Sequence, residues 1–133
     1  MKLLVVDDSP EIVEILSLFM EMSGYGVDRA HDGIEAVERL QHSSYDVVIT
    51  DADMPRMNGI EVCKFLKEQF PGVYVIGMSG CYHTLNELKN AGADVCFSKP
   101  FNITDIEEVI ENRLSPSLPT FDSTPSYCNS GML

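Results

Sequence analysis

Apolar residues along this chain fall into two patterns, and the two alternate. Short runs have the length and β-branched content of strands: Leu3-Leu4-Val5-Val6, Tyr25–Ala30 around Val27, Val47–Thr50, Val73–Met78 and Asp94–Ser98. Between them, apolar positions recur at the three- and four-residue intervals of a helix face. The first such segment carries Ile12, Ile15, Leu16, Phe19 and Met20; Ser9 is placed to cap it, Pro10 suits its first turn and Gly24 ends it. Leu18 lies about 120° from the centre of that face and reads either as the edge of the core, the reading preferred, or as part of a partner surface. After the turn at Asp32-Gly33, Ile34, Val37 and Leu40 outline a second helix up to Gln41. Ile60, Cys63, Phe65, Leu66 and Phe70 outline a third, closed by Pro71-Gly72, and Ile103, Ile106, Val109, Ile110 and Leu114 the last. The segment 82–91 offers only Leu85, Leu88 and Ala91, so it is predicted to be the most weakly packed helix and the easiest to shift. Strands alternating with helices in this way predict an α/β fold whose parallel sheet is covered on both faces.

Composition adds a boundary and excludes some classes of function. From Ser115 the chain turns to proline and small polar residues, which predicts a folded unit over 1–114 and a flexible Ser/Pro/Thr-rich tail over 115–133. With 133 residues, 44% of them hydrophobic, the chain is long enough for one domain with a real core. Nine basic against 21 acidic residues give a formal charge of -12, which disfavours direct contact with nucleic acid or anionic membrane. No apolar run approaches a membrane span and the N-terminus shows no signal-peptide pattern, so the cytoplasm is the expected location. Cys63, Cys81, Cys96 and Cys128 stand apart from one another, so neither zinc nor a disulfide framework is expected; Cys63 reads as a small core residue.

The candidate chemistry lies where the predicted strands end. In open parallel sheets ligands bind beyond the carboxyl ends of the strands. Four of the five predicted strands end there in a group able to do chemistry: Asp7-Asp8, Asp51, Ser79 and Lys99. The run Val47–Thr50 suits a strand buried on both faces, and Asp51 closes it before Pro55, Asn58 and Gly59 turn the chain. Taken singly, Asp51 reads equally well as a turn residue, and one of Asp7 and Asp8 as compensation for a helix dipole. Two adjacent carboxylates repel each other, however. If the first and third strands are neighbours, three converge, and a hard divalent cation with oxygen ligands is what neutralises such a cluster.

Residues 1–114 resemble the receiver domain of chemotaxis-type response regulators in bacterial two-component signalling. The resemblance is carried by Asp7-Asp8, by Asp51 with Met54-Pro55 and Asn58-Gly59, by Ser79, and by Lys99-Pro100-Phe101. It implies a doubly wound (βα)5 flavodoxin-like sheet with strand order 2-1-3-4-5, and a cis Lys99-Pro100 bond. It implies that Asp51 accepts a phosphoryl group from a phosphohistidine on a sensor histidine kinase or a histidine phosphotransfer protein. Mg²⁺ would be held by the carboxylates of Asp8 and Asp51 and the backbone carbonyl of Asp53, with Asp7 acting mainly through water. The Ser79 hydroxyl and the Lys99 ammonium would meet the phosphoryl oxygens. The output would be a reshaped 82–114 surface offered to an effector protein, not sustained enzymatic turnover. Whether such a domain stands alone or belongs to a longer chain is left open.

The chain departs from that pattern in two places. Cys96 occupies the position where the family usually carries a mobile Tyr or Phe, and strand alternation sends the neighbouring Phe97 to the opposite face. Asp53, two residues past the phosphoacceptor, brings a further acid close to it; it reads either as altering the lifetime of the phosphorylated state, by orienting or repelling water, or equally as an exposed loop carboxylate. Two other readings compete. Asp51-Ala-Asp53 resembles the Asp-x-Asp motif of haloacid-dehalogenase-type phosphatases, although that motif would follow the first strand and would leave Asp7-Asp8 without a role. A pseudo-receiver that docks partners without phosphorylation is the other. A flavin-binding relative is disfavoured because no Gly/Ser/Thr-rich loop follows the first strand.

Overall fold

A computed structural model describes residues 1–114; the tail expected over 115–133 lies outside the described residues. The elements alternate without interruption: β1 (Lys2–Val6), α1 (Pro10–Met22), β2 (Gly26–Ala30), α2 (Gly33–His42), β3 (Val47–Asp51), α3 (Gly59–Gln69), β4 (Tyr74–Ser79), α4 (Tyr82–Asn90), β5 (Val95–Ser98) and α5 (Ile103–Leu114). All strand pairs are parallel and the order is β2-β1-β3-β4-β5, the doubly wound arrangement that the family resemblance implied. In this order β1 and β3 are neighbours, with Val6 opposite Thr50. The chain therefore leaves both strands at the same edge, one residue past that pair, at Asp7 and Asp51.

Side chains of successive strand residues point to opposite faces, and each face has its own core. Leu3, Val5, Val47, Ile49, Ile76, Met78 and Phe97 pack with Val13, Leu16 and Met20 of α1 and Ile106, Val109 and Ile110 of α5. Leu4, Val6, Val48 and Val75 pack on the other face with Ala36 and Leu40 of α2 and Val62, Cys63 and Leu66 of α3. Every residue of β3 is buried. Burial of a Val, Leu or Ile side chain contributes about 1.5–3 kcal/mol relative to exposure, so this central strand is a rigid support for whatever follows it.

The structure keeps most of the expected face of α1, with Leu16 and Met20 buried and Ile12 and Phe19 packed against the same core, but turns Ile15 out to solvent. The buried residues of the helix are Val13, Leu16, Ser17 and Met20, whereas Ile15 is 54% and Leu18 48% exposed. Apolar residues occupy nearly the whole circumference of this helix, so periodicity alone does not locate the face that meets the sheet. Packing chose the side carrying the small Ser17, and Ile15, Leu18 and Met22 form an exposed stripe instead. Ile34 and Phe70, also assigned to helical stripes, are exposed at the ends of α2 and α3.

Helix starts are fixed locally, with one exception. Ser9 accepts from the Ile12 N–H at 3.4 Å and Asp32 from the Glu35 N–H at 2.8 Å. Asn58 and Glu61 form a reciprocal capping box, both bonds at 3.0 Å. By contrast, α4 begins at Cys81, whose side chain makes no capping bond. Only Leu85 and Leu88 anchor α4, in a small cluster with Ala52 and Cys96. The weak packing expected of 82–91 is therefore a property of the fold. Cys96 is fully buried beneath this helix, and Phe97 lies in the opposite core, as strand alternation required.

Candidate functional site

Three carboxylates meet at the carboxyl edge of the sheet. One oxygen each from Asp7, Asp8 and Asp51 lies within 4.8 Å of the others. Asp7 follows β1 and is fully buried, Asp51 is the last residue of β3 and is 2% exposed, and Asp8 faces solvent. The Ser9 N–H donates to Asp7 Oδ1 at 3.0 Å, so the same residue caps α1 and orients a carboxylate of the cluster. Asp51 is carried by the most deeply buried strand, and the loop after it is tied down at several points. The Gly59 N–H donates to the Ala52 carbonyl at 3.0 Å, the Gly33 N–H to the Met57 carbonyl at 3.0 Å, and Arg56 pairs with Asp32 at 3.1 Å. Glycine at 59 is a steric requirement, because a Cβ there would sit 2.0 Å from the Asp51 carbonyl oxygen.

Lys99, at the end of β5, reaches the same cluster. Its Nζ donates to Asp7 Oδ2 at 3.2 Å and lies 3.1 Å from Asp51 Oδ1. The second approach is a charge contact without hydrogen-bond alignment, so Asp51 Oδ1 is buried with no aligned donor. The Lys99–Pro100 bond is cis, as the resemblance implied, and the Lys99 N–H donates to the Ser79 carbonyl at 2.9 Å.

These contacts set the electrostatics. Burial pushes the Asp51 carboxyl up to about 6; the Asp7 charge adds to the rise, Lys99 opposes it and Asp53 adds slightly. Asp7 is also raised, first by burial, with the Ser9 N–H and Lys99 working against the shift. Burial acts to lower Lys99, but the carboxylates of Asp51 and Asp7 outweigh it and hold the ammonium above its ordinary value. One cation shared by two buried carboxylates, with a third beside them, leaves an excess of negative charge. Three carboxylates with converging oxygens, only partly offset by one ammonium, suit a hard divalent cation such as Mg²⁺.

Ser79 and Asp53 stand beside this cluster but are engaged with each other. Ser79 is fully buried at the end of β4, and its Oγ donates to Asp53 Oδ2 at 3.0 Å. The same oxygen accepts from the Cys81 N–H at 3.0 Å. Of the residues singled out in the sequence, Asp7, Asp8, Asp51 and Lys99 are thus brought together directly. The Ser79–Asp53 bond and the part played by Ser9 were not anticipated. No local signal marks a bond between residues 26 positions apart; the double use of Ser9 was open to inference from an N-cap placed two residues after an acid. Asp8, Asp53, Asn58, Thr84 and Glu87 line a shallow crevice of about 410 Å³ that opens over this edge. No helix among the described residues is long and apolar enough to cross a membrane.

Comparison with known proteins bears on this arrangement. Residues 3–111 match the family model described as the response regulator receiver domain. The transcriptional regulatory protein CpxR homolog of Haemophilus influenzae is 36% identical over 122 residues, covering 87% of this chain and 53% of the relative. The alkaline phosphatase synthesis transcriptional regulatory protein PhoP of Bacillus subtilis is 36% identical over 119 residues, covering 87% and 49%. The chain therefore spans about half the length of these relatives. Among solved structures, a CheY-like receiver domain protein of Methanospirillum hungatei superposes with a TM-score of 0.81 at 27% identity, covering 86% of this chain and 94% of its own. The response regulator TrrA of Thermotoga maritima, solved in complex with Mg²⁺-BeF, superposes with a TM-score of 0.77 at 32% identity, covering 84% and 96%.

Proposed function

The chain belongs to the response regulator receiver domain family of two-component systems, and from that premise we propose that Asp51 is its phosphoacceptor, served by a histidine kinase or histidine phosphotransfer protein in the cytoplasm. The observation that carries this reading is the convergence of Asp7, Asp8, Asp51 and Lys99 at one edge of the sheet. A carboxylate oxygen of Asp51 attacks the phosphorus of the partner's phosphohistidine; the O–P bond forms as the P–N bond breaks, and the imidazole leaves with the bonding pair. With its carboxyl titrating at about 6, Asp51 is mainly ionised near neutrality and available as the nucleophile. Such transfers are governed by positioning and charge neutralisation more than by covalent assistance.

Asp8 and Asp51 would hold Mg²⁺ with the Asp53 carbonyl, and Asp7 would act through a bound water. When bound, the ion offsets the charge of the carboxylates and of the incoming phosphoryl oxygens. Lys99, already poised between Asp7 and Asp51, meets a second phosphoryl oxygen. Ser79 meets a third once its hydroxyl turns. Asp53 sets the lifetime of the aspartyl phosphate. The pairing of half-buried Lys99 with buried Asp7 holds the ammonium at the site before phosphorylation, which suits a switch that is loaded once and read by an effector protein. A part of the chain outside residues 3–111, or a separate protein, would provide that output.

Intact mass after incubation with a small-molecule phosphodonor and Mg²⁺ tests the proposal. One labile phosphoryl is expected on the wild type and none on Asp51→Ala or with Mg²⁺ chelated. An adduct that survives Asp51→Ala would overturn the assignment. Absence of any adduct, with the donor intact, would point to a pseudo-receiver. Continuous hydrolysis of the donor would instead favour the phosphatase reading of Asp51-Ala-Asp53.

A further inference from the structure

The Ser79 hydroxyl has a single proton, and in this structure that proton is taken. Oγ donates to Asp53 Oδ2 at 3.0 Å, the other acceptor in reach being the Cys81 carbonyl at 3.4 Å, and it accepts from the Cys81 N–H at 3.0 Å. Each end of this relay matters. Asp53 lies in the loop that leaves β3 immediately after Asp51, with its side chain exposed to solvent. Cys81 is the first residue of α4's N-terminal boundary, and it gives that helix no side-chain cap. The Cys81 sulfur faces the His83 and Thr84 N–H groups but is a weak acceptor, so the start of α4 is held less firmly than by an oxygen cap, which is worth about 1 kcal/mol. The Ser79 oxygen supplies a different hold, on the N–H of the N-cap residue itself, from outside the helix.

We propose that Asp53 is a latch on Ser79: it holds the serine hydroxyl away from Asp51 in the resting protein and, through the Cys81 N–H, fixes the first turn of α4. This deepens the phosphoacceptor reading and rests on it for its consequence. A phosphoryl on Asp51 and the Asp53 carboxylate compete for one proton, so the Ser79 hydroxyl cannot serve both. When it turns to the phosphoryl oxygen, the Asp53 bond is lost and the lone pair facing Cys81 is redirected. The start of α4 is released in the same movement. The helix is suited to respond, since Leu85 and Leu88 are its only buried residues and Leu88 rests against Gly77, where a Cβ would lie 2.8 Å from Leu88 Cδ1. Asp53 is on this view a positioning residue that biases the switch to its resting state, and Ser79 is the element it competes for.

A double-mutant cycle separates the latch from simple charge repulsion between Asp53 and the phosphoryl. The variants are Asp53→Ala, Ser79→Ala, the double substitution, and Asp53→Asn, which keeps an acceptor oxygen without the charge. The first readout needs no ligand: amide hydrogen exchange of residues 81–85. Asp53→Ala is expected to speed it by about three- to tenfold, the range for losing one partly exposed hydrogen bond to a carboxylate. In the Ser79→Ala background the same substitution should add nothing. The second readout is the beryllofluoride concentration needed for half-saturation with Mg²⁺. Asp53→Ala should lower it by about three- to tenfold, Asp53→Asn should lower it less, and Ser79→Ala should erase the difference.

Equal effects of Asp53→Ala with and without Ser79 would overturn the latch, because charge repulsion alone does not pass through the serine. Unchanged exchange over 81–85 in Asp53→Ala would overturn it as well. If no variant binds beryllofluoride but exchange responds through Ser79, the latch stands and the phosphoacceptor reading fails. If all variants bind it in an Asp51-dependent way with additive effects, the reverse holds.

Discussion

At the scale of single residues, the cost of the site is concentrated in Asp51. A carboxylate that is 2% exposed and titrates at about 6 is held ionised at neutral pH against its preference, even with Lys99 alongside. Because the folded state binds that proton more tightly than the unfolded chain, stability rises as pH falls through the window from about 6 to the ordinary value of 3.8. Asp51→Asn should therefore stabilise the protein by about 1–3 kcal/mol at pH 7 with divalent cations chelated. It should also flatten the pH dependence of the melting temperature between pH 4 and about 6. A melting temperature that is unchanged or lower at pH 7 would show that the ionised form is not under strain. Asp53 and Asp8 are exposed, and similar substitutions there should have smaller effects on stability.

At the scale of elements, the connection from β3 to α3 is what converts a buried strand into a presented carboxylate. It works because residue 59 is glycine: the Gly59 N–H closes on the Ala52 carbonyl while its α-carbon passes against the backbone of Asp51. The clash that a side chain would create is with backbone and cannot be relieved by a rotamer. Gly59→Ala should cost about 2–4 kcal/mol in denaturant unfolding, by forced overpacking of the new Cβ against the Asp51 and Ala52 backbone, and should slow phosphorylation of Asp51 in parallel. Normal phosphorylation in a destabilised Gly59→Ala protein would detach the turn from the site. The contrast with α4 is instructive. At Gly77 the atom in the way is the end of the Leu88 side chain, which can yield, so that interface is adjustable where the β3–α3 turn is not.

At the scale of the whole molecule, the two edges of the sheet do different work. The carboxyl edge accumulates charge, whereas the opposite edge is closed by a clasp of Tyr45, Asp28 and Lys2. Tyr45 donates to Asp28 Oδ2, Lys2 Nζ pairs with Asp28 at 3.4 Å, and Lys2 also lies 5.2 Å from the centre of the Tyr45 ring. Burial and the Asp28 bond push the Tyr45 phenol up to about 12, while Tyr45 and then Lys2 hold Asp28 below its ordinary value against the effect of burial. The phenol's contribution is present below pH 10 and is lost as pH rises from there through about 12. That of Asp28 is present above its ordinary value of 3.8 and is lost as pH falls through its lower folded value. Tyr45→Phe should cost about 1–2 kcal/mol at neutral pH and remove most of the alkaline loss between about pH 10 and 12, followed by chemical denaturation. Phosphorylation of Asp51 should be unaffected, because the substitution lies at the other edge. A matching loss of phosphorylation would mean that the two edges are coupled.

The sequence alone determined the alternation of five strands with five helices, since both periods are local and each strand is short, apolar and bounded by turn residues. It also determined which residues end the strands, and so placed Asp7, Asp8, Asp51, Ser79 and Lys99 on one edge before any contact was known. The strand order came from resemblance, and the register that sets Val6 against Thr50 came from the folded sheet. Tertiary structure decided where the buried face of α1 ends, because apolar residues lie in nearly every direction around that helix and only the sheet selects Val13 and Ser17 for the core while leaving Ile15, Leu18 and Met22 outside. It alone decided where the Ser79 proton goes. A hydrogen bond between Ser79 and Asp53 depends on the end of β4 meeting the loop that leaves the neighbouring β3, and the chain's local preferences carry no information about that meeting.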